Sequence, residues 1–219
     1  MIAYENEMNK IIEALDDENL LNNCLISGSW AMFFYKTLFE DFIPPIATTD
    51  FDIFLPRVSK IKKANLNKIL LDLDYLREDD TLTGKTRFYS KSGFEIEFLT
   101  LPDRSMKNVI KIPALNIGAE ALPKLEPLTW NFISIKYNNH IVNVPSPSCF
   151  CLQKLLINKD RQEFKRQKDI DSIKYLLRYI NASRAYKEEF IKLLNESPKK
   201  WKSIIISTMH DNGLDYILK

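Results

Sequence analysis

The sequence predicts an α+β protein, and three observations lead to this prediction. A short strand, a Gly-Ser turn and an apolar helix follow one another around Gly28. A β-hairpin pattern with a turn at Lys91-Ser92-Gly93 occupies residues 86–100. Beyond residue 146, apolar residues recur at helical spacing. We therefore predict a domain of strands and helices over residues 1–146, followed by a C-terminal helical region over residues 147–219.

Composition excludes several classes of protein. A chain of 219 residues can bury a full core, and 45% hydrophobic and 27% charged residues are ordinary for a soluble protein. The net charge of +2 does not by itself indicate a nucleic-acid partner. Apolar runs stay well short of the roughly 20 residues of a membrane span. The odd number of cysteines (Cys24, Cys149 and Cys151) favours reduced thiols, so we expect a cytoplasmic protein without membrane association.

The first elements are read from apolar spacing. Residues 4–18 predict an amphipathic helix, residues 24–26 a strand, and residues 31–39 a buried helix. Between that strand and helix, Gly28 and Ser29 form a turn in which the backbone can approach a ligand. The N–H groups at a helix start suit an anion such as phosphate, although a plain strand-to-helix turn explains the same residues.

The segment from Thr48 to Leu55 predicts a strand that carries chemistry. Its residues are largely β-branched or aromatic, and Pro56 ends it. Because side chains alternate along a strand, Asp50 and Asp52 point to the same side. Two adjacent carboxylates repel each other unless solvent or a cation neutralises them, and Mg²⁺ prefers oxygen ligands. The alternatives are a metal site and a solvated strand edge.

The following elements supply a third carboxylate. Ser59 predicts the N-cap of a helix that runs to about Leu73, and residues 75–78 predict another strand. In the second hairpin strand, Glu95 and Glu97 share one face. Glu97 is the candidate third carboxylate if this strand lies beside the Asp50 strand, and Glu95 competes for that role. An ordinary half-exposed strand would show the same alternation.

The C-terminal region predicts helices over 150–158, 165–180, 184–195 and 200–218. Residues 154–174 contain seven basic and four acidic residues, the most basic stretch of the chain. A solvated helix surface with ion pairs four residues apart explains this run. A cationic wall for a triphosphate or a nucleic acid is the functional interpretation.

Together these motifs resemble a nucleotidyltransferase of the DNA polymerase β-like superfamily. The resemblance is carried by Gly28-Ser29-Trp30, by Thr49-Asp50-Phe51-Asp52 and by Glu97 in a later strand. The helices that contain Lys154, Arg161 and Lys168 are similar to those of the bacterial AbiEii-type, toxin-like nucleotidyltransferases. This resemblance implies a mixed β-sheet flanked by helices, followed by a helical bundle.

The resemblance also implies a site. Asp50, Asp52 and Glu97 would be catalytic residues that bind one or two Mg²⁺ ions, with Mn²⁺ as an alternative. Glu97 would also help to deprotonate the acceptor hydroxyl. The nucleotide would be bound by Gly28 and Ser29, with Lys154 and Lys168 as cationic support.

The implied reaction is transfer of an NMP from an NTP to a hydroxyl acceptor, with release of pyrophosphate. The acceptor would be tRNA or another RNA, a protein, or a small molecule. A role in a toxin–antitoxin or phage-defence pair, with an antitoxin protein as partner, follows from the resemblance alone. The alternative is an inactive module of the same fold that binds a nucleotide or a partner protein.

Overall fold

The computed structural model describes residues 4–45, 48–105 and 107–218. The chain divides into two compact units. The first unit comprises Met1–Pro123 and Ile133–Val144, and the second comprises Lys124–Phe132 and Pro145–Lys219. None of the described helices is long and apolar enough to cross a membrane.

The elements are numbered in chain order. As far as residue 145 they are α1 (Glu5–Asp17), β1 (Leu25–Ile26), α2 (Gly28–Tyr35), β2 (Asp50–Leu55), α3 (Leu66–Asp72), β3 (Leu76–Asp79), β4 (Thr86–Tyr89), β5 (Glu95–Thr100), β6 (Val109–Ile112), β7 (Ile117–Ala121), β8 (Phe132–Tyr137) and β9 (His140–Pro145). The remaining helices are α4 (Pro147–Ile157), α5 (Glu163–Ala182), α6 (Arg184–Glu196) and α7 (Lys199–Asp211).

Within the described residues, seven strands form one mixed sheet, in which five follow the order β1-β2-β5-β4-β3. Strand β7 also pairs with β5, and β6 pairs with β7. The β2–β5 and β5–β7 pairs are parallel, whereas the other pairs are antiparallel. Strands β8 and β9 form a separate two-stranded sheet. This architecture confirms the predicted α+β class with a mixed sheet and helices.

The two faces of the large sheet differ in polarity because side chains alternate along each strand. One face is buried and consists of Phe51, Ile53, Phe88, Ile96 and Phe98. On that side Trp30 of α2 packs edge-on against Phe51 and Phe94, with ring centroids 6.0 Å and 5.6 Å apart. Such aromatic packing fixes α2 on the sheet. The opposite face carries polar side chains at the start of β2 and β5 and the buried Phe54 and Leu99 further along.

The second unit is built around α4, which packs against α5, α6 and α7. The Ser146 side chain caps α4 by accepting a hydrogen bond from the Cys149 N–H. The Glu189 carboxylate of α6 accepts hydrogen bonds from the hydroxyls of Ser146 and Ser148. Trp130 and Trp201 stack in the same unit, with ring centroids 6.2 Å apart.

The helix predicted from Ser59 to Leu73 is wrong in its first half. The helix α3 begins only at Leu66, where the Asn65 side chain accepts a hydrogen bond from the Lys68 N–H. Residues 58–60 form a 3₁₀ turn, and Ile61 is extended. The apolar spacing of Ile61 with Leu66 and Leu70 arises because all three are buried, not because they share one helix.

Other helix boundaries also move, and α2 ends at Tyr35 instead of residue 39. Helix α2 begins at Gly28 rather than at residue 31, so the Gly-Ser turn is itself the first turn of the helix. The last predicted helix ends at Asp211, and a short 3₁₀ turn follows at residues 215–218. Gly213 has φ +66°, a left-handed conformation that terminates helices.

Candidate active site

Four carboxylates lie on the polar face of the sheet, on neighbouring strands. In the parallel β2–β5 pair, Asp50 lies beside Glu95, and Asp52 lies beside Glu97. Residues in register on adjacent strands point to the same side of a sheet. The structure therefore brings the two predicted aspartates and both candidate glutamates onto one surface.

The Asp52 carboxylate lies directly against Gly28 at the start of α2. A Cβ built on Gly28 would lie 1.9 Å from Oδ2 of Asp52, and Gly28 has φ +58°. The backbone joins the same two segments, since the Ser27 N–H donates to the Asp52 carbonyl over 3.0 Å. Only glycine meets both the backbone conformation and the close approach at position 28.

Asp50 occupies the exposed start of β2. Its N–H donates to the Thr48 hydroxyl over 3.3 Å, and its Oδ1 accepts from the Thr49 hydroxyl over 3.3 Å. Both contacts are local, so they set the conformation of the strand entrance. The Asp50 carboxylate stays accessible to a ligand from solvent.

Glu97 is neutralised by cations from the chain itself. Its Oε1 lies 2.8 Å from Nζ of Lys85 and 3.3 Å from Nε of Arg87. The Lys85 ammonium also donates to Oε2 of Glu120 over 2.6 Å. Burial alone would lower the pKa of Lys85, but the hydrogen bonds to Glu120 and Glu97 raise it above its ordinary value. Lys85 is therefore a charged bridge between the two glutamates.

Glu95 has a different environment from Glu97. Its Oε1 is buried and accepts no hydrogen bond from the described residues, although Nη1 of Arg87 lies 3.2 Å away. Burial raises the pKa of Glu95, and the charges of Glu97 and Asp50 raise it further. Because burial is the main cause of the raised pKa, a cation bound beside Glu95 would favour its ionised form.

The basic residues predicted for the nucleotide lie in the second unit. Lys154 is buried in α4, and its Nζ donates to Oδ1 of Asp169 over 2.9 Å. Arg161 lies 3.3 Å from the other oxygen of Asp169. Lys168 lies on α5 and is half-buried. The nucleotide-binding roles of Lys154 and Lys168 stay predictions.

Three residues of this charged cluster were missed by reasoning from sequence: Lys85, Arg87 and Glu120. Arg87 lies opposite Glu97 in the β4–β5 pair, and Glu120 lies beside Leu99 in the β5–β7 pair. The hairpin pattern is sufficient to predict the position of Arg87, because antiparallel pairing across a short turn places it opposite Glu97. Glu120 comes from a later strand, and local pattern did not indicate its pairing.

The carboxylates of this surface offer oxygen ligands to a divalent metal ion. Among residues 4–45, 48–105 and 107–218, no three His, Cys, Asp or Glu side chains form a group that could hold a metal ion as they stand. Asp50 and Asp52 nevertheless fit a hard cation, since both present carboxylate oxygens on one face and a side chain at position 28 would fill the space beside Oδ2. Glu97 would contribute through Oε2, because Lys85 and Arg87 both contact its Oε1.

Comparison with known proteins gives a family match over most of the chain. A family model described as nucleotidyltransferase matches residues 6–196. No curated protein sequence matches the chain.

Two solved structures are similar to the chain. One is the crystal structure of an antigenic nucleotidyltransferase-like protein from Paracoccidioides brasiliensis, with 20% identity, 91% of this chain and 90% of that chain covered, and a TM-score of 0.48. The other is the solution structure of the antibiotic-resistance factor ANT(2'')-Ia, with 10% identity, 96% and 93% covered, and a TM-score of 0.46.

Proposed function

Because the chain belongs to this nucleotidyltransferase family, we propose that it transfers an NMP from an NTP to a hydroxyl acceptor and releases pyrophosphate. The observation that carries the proposal is the placement of Asp50 and Asp52 on one face of β2, with the Asp52 carboxylate against the glycine that opens α2. In such a reaction the acceptor oxygen bonds to the α-phosphorus, and the bond from that phosphorus to the pyrophosphate oxygen breaks.

Asp50 and Asp52 would hold Mg²⁺ or Mn²⁺, with Glu97 as the third carboxylate and Glu95 as its competitor. When bound, the metal ion supplies positive charge that offsets the charge on the phosphate oxygens. Glu97 is also assigned the removal of the acceptor hydroxyl proton. The ion pairs of Glu97 with Lys85 and Arg87 would hold its side chain in place while it acts.

Gly28 and Ser29 would bind the phosphates of the nucleotide. The first N–H groups of α2 lack helical partners and carry the positive end of the helix dipole. The Ser29 hydroxyl adds a donor at the same helix turn. Because Gly28 has no side chain, the Asp52 carboxylate and these N–H groups lie side by side, which would allow one triphosphate with its cation to contact both.

Transfer of label from α-³²P-labelled NTPs tests the proposal. The purified protein is incubated with Mg²⁺ and each NTP, with RNA, protein and small-molecule fractions of a cell lysate as acceptors. The variant Asp50→Asn/Asp52→Asn is expected to lose transfer by more than about a hundredfold, because it removes both metal-binding carboxylates. Asp72→Asn/Asp74→Asn removes the same charge from exposed positions and is expected to transfer normally. Equal transfer by both double variants would refute the site.

A second candidate is a module that binds a nucleotide or a protein partner without catalysis. The pairing of Glu97 with Lys85 and Arg87 favours it, since these two cations compete with a metal ion for the Glu97 carboxylate. Nucleotide binding by the wild type without transfer to any acceptor would favour this candidate. RNA as acceptor, an antitoxin partner and a toxin role stay predictions from the resemblance.

A further inference from the structure

A cavity of about 330 Å³ lies beside the carboxylate surface, in the first unit. Arg87 of β4 and Glu120 of β7 line it, together with Lys85, which precedes β4. Lys85 and Arg87 are also the cations that contact Glu97. The cavity and the carboxylate surface are thus adjacent, because Glu97 contacts two of the residues that line the cavity.

The rim of the cavity is held by hydrogen bonds to the Asp80 side chain and by close packing against β7. In the turn between β3 and β4, Oδ1 of Asp80 accepts from the N–H groups of Leu82 and Thr83 over 2.8 Å and 2.9 Å. The turn lies directly against β7, because a Cβ on Gly118 would lie only 1.9 Å from the Gly84 carbonyl oxygen. These contacts hold the turn in place, as in the preformed sites that usually bind small molecules.

The lining combines donors, acceptors and an apolar strip. Glu120 and Arg87 have side chains that are 36% and 40% exposed, so each can hydrogen-bond a ligand. Asn108 adds an amide with both donors and an acceptor. Val109 and Leu122 supply apolar surface between these groups. This mixture suits a ring whose edges bear hydroxyl groups and whose faces bear C–H groups.

Charge and size argue against a nucleic acid in this cavity. Two acidic residues, Asp80 and Glu120, balance two basic residues, Lys85 and Arg87. A polyanion would instead require an excess of basic side chains. The volume lies at the lower end of the range of about 300–1,000 Å³ that holds small molecules.

We propose that this cavity is the acceptor site, and that the acceptor is a compact polyhydroxylated molecule of about the size of a sugar or cyclitol. The proposal rests on the proposed nucleotidyl transfer and names its substrate class. The acceptor hydroxyl that lies nearest to Glu97 would react: its oxygen bonds to the α-phosphorus, pyrophosphate leaves with the bonding electron pair, and the hydroxyl proton passes to Glu97, which contacts the lining residues Lys85 and Arg87. The other hydroxyl groups would contact Glu120, Arg87 and Asn108.

The test fills the cavity without changing Asp50, Asp52 or Glu97. Leu122→Trp places a large ring in the lining, whereas Leu82→Trp makes the same change at a turn residue that is 95% exposed and outside the lining. Glucose, glucosamine and myo-inositol serve as probes at millimolar concentration, and their binding is followed by saturation-transfer NMR. Transfer of α-³²P label to the small-molecule fraction of a lysate is measured in parallel.

We expect at least one probe to bind, and Leu122→Trp to weaken both its binding and the labelling by more than about tenfold. Leu82→Trp is expected to behave as the wild type. Label that enters only RNA or protein, or labelling that Leu122→Trp leaves unchanged, would overturn the cavity proposal while nucleotidyl transfer stands. If no acceptor of any class is labelled, the proposed function fails, and the acceptor role of the cavity fails with it.

Discussion

Two lysine–carboxylate clusters, one in each unit, show what separates a candidate site from a structural ion pair. The side chains of Lys85 and Lys154 are almost equally buried, with 10% and 11% exposure. Glu97 and Glu120 around Lys85 are 21% and 36% exposed, whereas Asp169 beside Lys154 is only 7% exposed. The accessibility of the carboxylates, not the charge of the lysine, therefore distinguishes the two clusters.

The largest loss of stability is expected when the ion pair between Lys154 and Asp169 is broken. Asp169→Ala removes a buried carboxylate that both Lys154 and Arg161 contact, and we expect the free energy of unfolding to fall by about 3 kcal/mol. Glu120→Ala should cost less than about 1 kcal/mol, because Lys85 keeps Glu97 and the removed side chain is partly solvated. Urea denaturation of both variants measures the difference. If both variants lost a similar free energy of unfolding, the accessibility of the carboxylates would not distinguish the two clusters.

Substitutions at two glycines distinguish the effect of backbone strain from the effect of displacing the Asp52 carboxylate. Gly28→Ala and Gly93→Ala both place alanine at positive φ, which costs about 1–2 kcal/mol each. Only at Gly28 does the new methyl collide with Asp52, since Gly93 has open space. We therefore expect both variants to lose stability, and Gly28→Ala alone to lose Mn²⁺ and nucleotide binding by more than about tenfold. Calorimetric titration checks this, and equal binding by the two variants would contradict it.

Removal of the Lys85 charge should change the affinity of the protein for a metal ion. Lys85→Met removes one of the two cations that contact Oε1 of Glu97, and we expect Mn²⁺ to bind about fivefold more tightly, equivalent to about 1 kcal/mol. Lys91→Met removes a charge at the exposed hairpin turn and serves as the control. Electron paramagnetic resonance of free Mn²⁺ measures both affinities. An unchanged affinity in Lys85→Met would mean that Glu97 does not face the metal ion.

The smallest effect concerns Glu95 and pH. Because the folded pKa of Glu95 is raised above its ordinary value of 4.5, the folded state holds its proton more tightly than the unfolded state. Ionised Glu95 therefore destabilises the fold, and stability falls as pH rises from that value through the raised pKa. Glu95→Gln removes the penalty, so we expect its Tm to be about 2 °C above the wild type at neutral pH and equal to it at acidic pH. Glu40 is exposed and serves as the control, and Glu40→Gln should show no pH-dependent gain in Tm.

Local sequence pattern was sufficient to predict the strand that carries Asp50 and Asp52 and the helices beyond residue 146. Alternation placed Asp50 and Asp52 on one face, and the turn at Lys91-Ser92-Gly93 gave the β4–β5 hairpin. Ser146 is the N-cap of α4, next to the predicted boundary at residue 146. Each of these features depends on residues that are close in sequence, which is why spacing and turn chemistry predict them.

Pairing between distant segments was beyond local pattern. Strands β2 and β5 pair in parallel although some forty residues separate them, and this pairing decides that Glu97 lies beside Asp52. Lys85 reaches Glu120 across 35 residues of chain, and Lys154 reaches Asp169 across a helix junction. Charge and position along the chain selected Lys154 and passed over Lys85, because the sequence does not show which carboxylate each ammonium contacts.

The distribution of the tryptophans gives each unit its own spectroscopic reporter. Trp30 is completely buried among aromatic rings of the first unit, whereas Trp130 and Trp201 stack on each other in the second. Replacing Trp30 by Phe leaves fluorescence that monitors only the helical unit, and replacing the stacked pair leaves a signal from the sheet alone. Loss of the two signals at different denaturant concentrations would show that the units unfold as separate cooperative bodies.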